Sequence, residues 1–260
     1  MSLPDNRLKQ SLANGQTTYG TWCLLPSATA TEAAAAAGLD FVVIDLEHGT
    51  ASLETVEHMV RAAETAGCTA LVRSPSTEPW MILRCLETGT AGVLVPQIET
   101  AEQARAVTEA ARYHPSGSRG LAPYTRNHGF THENLPTSLA VADARTLVGV
   151  LVEGEQGMTN LSKITAVDGV DIVYLGIYDL SQSVGHPGDL DHPRVREALR
   201  SASQQITAAG RYAGSFARDA QDARLLRDTG FTFIAHLADT AALNTYYRNF
   251  MAEASTTARS

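Results

Sequence analysis

In Thr29-Ala30-Thr31-Glu32-Ala33-Ala34-Ala35-Ala36-Ala37, Gly38-Leu39-Asp40 and Phe41-Val42-Val43-Ile44-Asp45, a helix former, a helix stop and a strand former stand end to end. Alanine has the highest helix propensity, so residues 29–37 predict a helix. Gly38 provides the left-handed residue that ends it. Phe41–Ile44 is β-branched or aromatic without a polar break, as in a strand buried on both faces. Such strands belong to parallel sheets, whose strands are joined by helical crossovers.

The same helix–glycine–strand junction recurs at Gly67, Gly89, Gly210 and Gly230. Eight strands are expected: Tyr19–Leu24, Phe41–Asp45, Thr69–Arg73, Gly92–Val95, Leu147–Glu153, Ile172–Leu175, Tyr212–Ser215 and Phe231–His236. Helices are expected over Thr29–Ala37, Leu53–Ala66, Pro79–Thr88, Ala101–Tyr113, Pro193–Ala209, Ala220–Asp228 and Thr240–Phe250, with a shorter one over Gly157–Ile164. Eight such units in a chain of 260 residues have the size of an α/β fold of the (β/α)8 TIM-barrel type, one domain over residues 1–260. The competing open sheet would carry GxGxxG after its first strand; that motif is absent, so no nucleotide cofactor is expected. The irregular segment His114–Ala140 is long enough to be expected to serve function.

Composition narrows the partners. A net charge of −8, with no run of Lys and Arg, argues against nucleic acid. The apolar stretches, such as Ala33–Ala37 and Phe41–Ile44, are too short for a membrane span. Met1–Gln16 is polar and lacks the apolar segment of a signal peptide. Cys23, Cys68 and Cys85 are odd in number and far apart, which suits buried thiols and a cytoplasmic location.

A parallel barrel keeps its active site at the C-terminal ends of the strands. There the chain places Asp45, Glu47 and His48, then Arg73, Glu153 and Asp179. Asp45 and His48 suit a carboxylate–imidazole pair for proton transfer, against a merely solvated loop. Arg73 suits an oxyanion, or equally a structural ion pair with Asp45 or Glu47. Glu153 and Asp179, from neighbouring strands, offer hard oxygen ligands for a divalent cation of the Mg2+ or Mn2+ type. Trp22 walls the pocket or fills the barrel. His128 and His132, Gly117–Gly120 and His236 are weaker candidates. No lysine stands at these strand ends, which weakens a Schiff-base mechanism.

The order Trp22, Asp45-Leu46-Glu47-His48, Val72-Arg73, Val95-Pro96-Gln97-Ile98-Glu99-Thr100, Tyr113 to Gly120, Glu153, Gly176-Ile177-Tyr178-Asp179-Leu180-Ser181 and Gly185-His186-Pro187-Gly188 resembles the HpcH/HpaI aldolase family, from about Gly20 to about Val195. The resemblance implies a class II aldolase, a carbon–carbon lyase using a divalent metal (Mg2+ or Mn2+, with Co2+ admissible) and the enolate of pyruvate or a close 2-oxo acid. By resemblance, Glu153 and Asp179 hold the metal and Arg73 steadies the C2 oxygen. His48, oriented by Asp45, moves the proton, and Glu47 holds a metal-bound water. The N–H groups around Gly176, Ile177, Tyr178 and Asp179 receive the substrate carboxylate, with Trp22 at the substrate. The partners implied are a 2-oxo acid and an aldehyde or thioester acceptor. The resemblance also implies a homo-oligomer, commonly a hexamer whose dimers exchange the C-terminal helix. Leu151 stands where many members carry Gln, and Ile177 where Pro is usual; both bear on the substrate. A related branch condenses oxaloacetate with acetyl-CoA to citrate for siderophores, and a non-catalytic acid-binding barrel is the third reading.

Overall fold

A computed structural model describes residues 4–256; residues 1–3 and 257–260 of the expected 1–260 domain lie outside the described residues. The strands are β1 (Thr18–Cys23), β2 (Phe41–Asp45), β3 (Thr69–Arg73), β4 (Gly92–Val95), β5 (Leu147–Val152), β6 (Ile172–Leu175), β7 (Tyr212–Ala217) and β8 (Phe233–Ala238). Each pairs in parallel with the next and β8 closes on β1, a (β/α)8 TIM barrel. The helices are α1 (Arg7–Ala13), α2 (Ala28–Ala36), α3 (Leu53–Thr65), α4 (Pro79–Glu87), α5 (Ala101–Ala111), α6 (Leu135–Arg145), α7 (Glu155–Thr159), α8 (Leu161–Thr165), α9 (Ile177–Ser183), α10 (Pro193–Ala208), α11 (Ala220–Asp228) and α12 (Asp239–Thr256).

The junction glycines do what their positions predict. Gly38, Gly67, Gly89, Gly210 and Gly230 all take positive φ, between 73° and 98°. Polar side chains start the helices: Ser27, Ser52 and Asp219 accept N–H groups at α2, α3 and α11, and Thr100 with Gln103 forms a capping box at α5.

Alternation along the strands divides the core in two. Outward residues such as Val42, Ile44, Val72, Val93, Val148, Val150 and Ile234 pack under the helices. Inward residues Phe41, Val43, Leu71, Leu94, Leu147, Leu151, Ile172, Tyr174 and Phe233 fill the barrel in layers. Phe41 and Phe233 stack at 3.9 Å, and Gly20 leaves room for the ring: a Cβ there would lie 2.3 Å from Phe41 Cδ2. Leu8 and Leu12 of α1 join this inner cluster. They pack at the N-terminal end of the barrel, opposite its C-terminal mouth.

Besides α9 (Ile177–Ser183), which was not expected, three elements depart from expectation. Polar-looking Met1–Gln16 contains α1, capped by Asn6 and fixed by Leu8 and Leu12, one turn apart. Segment 114–140 is not irregular throughout, because Pro136 sits in the first turn of α6, where its missing N–H costs nothing. The expected helix over Gly157–Ile164 divides at Asn160 into α7 and α8. The three cysteine thiols are buried and free, pushed up to about 12 by that burial. Among the described residues no helix is long and apolar enough to cross a membrane.

Candidate active site

The inward alternation that fills the barrel also builds the site, one step further along each strand. After Phe41 and Val43 the next inward position is Asp45; after Leu71 it is Arg73; after Leu147, Gly149 and Leu151 it is Glu153; after Ile172 and Tyr174 it is Gly176. These residues, with Trp22, His48, Ile177, Tyr178 and Asp179, line one pocket of about 320 Å3 at the barrel mouth. Leu24, Leu151, Tyr174, Phe216, Leu237 and Ala238 complete its wall.

Arg73 is held on three sides. Its Nε donates to Asp45 Oδ1 at 2.8 Å and Nη2 to Asp45 Oδ2, a bidentate pair buried at the end of paired strands β2 and β3. Nη1 lies 3.0 Å from Glu47 Oε2, and the guanidinium covers the Trp22 ring at 4.5 Å. Burial works against its charge, but the hydrogen bonds and charge of Asp45, with Glu47 and Glu153, outweigh it and hold Arg73 protonated. Nε and Nη2 each direct an N–H at Asp45 while Nη1 faces Glu47 only as an ion pair, so N–H bonds of the guanidinium remain for a ligand.

Asp45 also accepts the backbone N–H groups of Glu47 and His48, at 3.0 and 3.3 Å. The expected carboxylate–imidazole pair is therefore replaced. Asp45 spends its oxygens on Arg73 and the turn, and among the described residues it makes no hydrogen bond to the His48 ring. It holds His48 through the backbone, and His48 is one of the residues lining the pocket. Glu47 likewise turns to Arg73 and to Gln97, whose Nε2 donates to Glu47 Oε1 at 3.2 Å.

Glu153 is raised above the usual glutamate range, first by burial and then by the charge of Glu47; Asp179 adds to it, and the Gln97 N–H and Arg73 oppose it. Gln97 takes a left-handed φ of 59°, which turns its N–H to Glu153 Oε2 at 3.3 Å. Asp179 stands in the first turn of α9, not on a loop. Gly176 precedes it as N-cap without a side-chain cap, so the first N–H groups of α9 are left to other acceptors.

The donor set fits a hard divalent cation. A Cβ at Gly176 would lie 3.1 Å from Asp179 Oδ2 and 3.2 Å from Glu153 Cγ, so the glycine keeps open a gap flanked by both carboxylates. Glu47 Oε2 is buried without a well-directed hydrogen bond, despite its contact with Arg73. Among the described residues no group of three or more His, Cys, Asp or Glu is poised to enclose an ion. Two carboxylates plus substrate and water oxygens is the arrangement that remains, and it suits Mg2+ or Mn2+. The chain's two lysines, Lys9 and Lys163, lie outside this pocket.

The weaker candidates fall elsewhere. His128 bonds Tyr113 and Ser138, and His132 faces the edge of Tyr124. Arg119 pairs with Glu87, and His236 Nδ1 meets the Ala217 carbonyl. Within one chain, segment 114–140 contributes nothing to the pocket; it lies against α3 and α4 through Arg126–Glu64 and Asn127–Leu86. Inward alternation would have flagged Tyr174, Phe216 and Leu237. Gln97 lies in a stretch quoted for the resemblance, but nothing in the sequence assigned it a role at the site.

Comparison with known proteins agrees with this geometry. The model of the HpcH/HpaI aldolase/citrate lyase family matches residues 18–244. A hydroxypyruvate/pyruvate aldolase from Roseovarius nubinhibens is 36% identical over 254 residues, 97% of this chain and 98% of that protein. The crystal structure of a family protein from Burkholderia cenocepacia superposes with a TM-score of 0.88 at 34% identity, covering 96% of this chain and 99% of that one. The citrate synthase SbnG follows at 0.87 and 27%, covering 97% and 99%. With a closed parallel barrel, an acid-lined mouth and a match over most of its length, this chain belongs to the HpcH/HpaI aldolase/citrate lyase family, and its chemistry is that of the carbon–carbon lyases.

Proposed function

We propose that the chain is a divalent-metal-dependent class II aldolase that makes or breaks a C–C bond through the enolate of pyruvate or a close 2-oxo acid. The observation that carries this reading is the clamped Arg73, with N–H bonds to spare, in one lysine-free pocket with Glu153 and Asp179. Glu153 and Asp179 would hold Mg2+, Mn2+ or Co2+, and the bound ion supplies Lewis-acid polarisation of the 2-oxo group.

This chain's residues do the rest. Arg73 presents fixed donors where negative charge grows on the C2 oxygen, and its clamp by Asp45 and Glu47 removes the cost of orienting them. The uncapped N–H groups at the start of α9 receive the C1 carboxylate, beside Gly176, Ile177 and Tyr178. His48 takes the C3 proton or returns it to the acceptor oxygen, while Asp45 sets its place through the backbone. Trp22, Leu151 and Phe216 exclude water beneath the reacting carbons.

The likeness to SbnG supports a second reading, condensation of oxaloacetate with acetyl-CoA. One assay separates them: the protein is offered pyruvate with a panel of aldehydes, and separately oxaloacetate with acetyl-CoA. Pyruvate-dependent adduct that vanishes with EDTA and returns with Mn2+ supports the aldolase. Release of CoA thiol without any adduct installs the synthase.

The oligomer is part of this reading. Leu243, Tyr246, Tyr247, Phe250 and Met251 of α12 are all about half exposed or more, an apolar load that a lone chain leaves in water. Exchange of α12 between two copies would bury it. Sedimentation should therefore give a multiple of 27.7 kDa, and deletion of residues 240–260 should leave smaller species. A monomeric full-length chain would contradict this.

A further inference from the structure

We infer that Tyr174 is a substrate-contacting residue, its hydroxyl donating a hydrogen bond to an oxygen of the bound 2-oxo acid. The inference rests on the function proposed above and adds a group that neither the family resemblance nor the ion pairs bring into the reaction.

The direction of one hydrogen bond carries the argument. Trp22 Nε1 lies 3.3 Å from the Tyr174 oxygen. An indole nitrogen only donates, so Tyr174 is the acceptor in that bond and its own O–H must point elsewhere. Among the described residues nothing accepts it. Tyr174 is only 4% exposed, and a buried donor without an acceptor is costly. Tyr174 is one of the residues that line the pocket, beside Trp22 and Leu151, and the pocket is where a ligand can supply the acceptor.

The ring is held firmly. It meets Trp22 edge-on at 5.4 Å and Phe233 at 6.2 Å, and pairs across β5–β6 with Leu151. Gly214 makes room for it, since a Cβ there would lie 2.9 Å from Tyr174 Cδ2. The hydroxyl is thus a fixed neutral donor at the pocket floor. Trp22 in turn links it to Arg73, whose guanidinium covers the indole. A ligand oxygen bound between them meets one charged and one neutral donor, the composition of an oxyanion site.

Oxalate, a stable mimic of the planar enolate of pyruvate, is the probe, and calorimetry of the Mn2+-loaded protein is the readout. Tyr174→Phe keeps the ring and should weaken oxalate about 10- to 100-fold, the usual loss for a hydrogen bond to a charged group. Mn2+ affinity and melting temperature should stay close to wild type. Trp22→Phe separates direct contact from mere propping, because it removes the indole N–H and leaves the tyrosine. If Tyr174 touches the ligand, the Trp22→Phe/Tyr174→Phe double variant binds oxalate more weakly than Trp22→Phe alone. Equal affinity of those two, or wild-type affinity in Tyr174→Phe, overturns the inference. Wild-type protein that binds Mn2+ but not oxalate overturns the proposed function and this inference with it.

Discussion

Gly176→Ala should separate metal binding from folding. The backbone there has φ −71° and ψ 99°, which alanine adopts without strain. Losing a glycine restricts the unfolded chain and by itself stabilises by about 0.4–1 kcal/mol. The new methyl carbon, however, would stand 3.1 Å from Asp179 Oδ2 and 3.2 Å from Glu153 Cγ, tighter than ordinary contact, so both carboxylates must give way by a few tenths of an ångström. Metal–oxygen distances tolerate about 0.2 Å. A disturbance of that size around a metal site costs roughly 10- to 100-fold in affinity, or about 1.4–2.8 kcal/mol. Mn2+ titration followed by EPR measures the first quantity and thermal melting of the metal-free protein the second. The expected result is weaker Mn2+ binding with an unchanged or higher melting temperature. Wild-type Mn2+ affinity would refute the placement of the ion between Glu153 and Asp179. A fall in melting temperature equal to the loss of binding would show that the methyl group damages packing, not a site.

Three further outcomes follow from the same geometry. Arg73→Lys should lose about 100-fold or more in turnover, because a point charge cannot hold Asp45 bidentately and still face substrate; wild-type rates would remove Arg73 from the reaction. Glu153 binds its proton more tightly in the folded state than in the unfolded chain, so metal-free stability should fall as pH rises from the ordinary glutamate range through its raised value. Urea melts across that range should show the slope, and Glu153→Gln should flatten it; an unchanged slope would contradict the assignment. Asp222, held down to about 2 by Arg218 and Arg196, works in the opposite sense: its contribution is present above the ordinary aspartate range and is lost as pH falls toward about 2. Asp222→Asn should cost about 1 kcal/mol at neutral pH after solvent screening of the exposed partners, and a neutral result in chemical denaturation would show the network to be idle.

Helix stops and buried strands were legible because each reflects a local rule. A glycine at positive φ and an unbroken apolar run have few alternative uses, so all eight strands lie within two residues of their expected ends. The acids and the arginine at the strand ends were equally legible, since strand alternation points every second residue inward. The missed elements depend on tertiary context. Short α9 is stabilised by packing of Ile177, Leu180 and Ser181, and α6 hides behind a proline that reads as a loop. The Asp45–His48 pair failed for a similar reason. Residues three apart can always be drawn together, but the guanidinium of Arg73, brought by β3, outcompetes an imidazole for the carboxylate. Gln97 stood in a quoted stretch without a role, because that role depends on a backbone twist that nothing in Pro96-Gln97-Ile98 announces.

Enolate formation is the step that every proposed role serves, and it can be watched without knowing the acceptor. Protein stripped with EDTA is incubated with pyruvate in D2O, with and without Mg2+ or Mn2+, and the methyl signal is followed by NMR. Loss of that signal through deuterium uptake, dependent on the added metal and abolished in Asp179→Asn, is the predicted result. Uptake that proceeds equally in EDTA, or no uptake with either metal, would contradict a metal-assisted pyruvate enolate in this barrel.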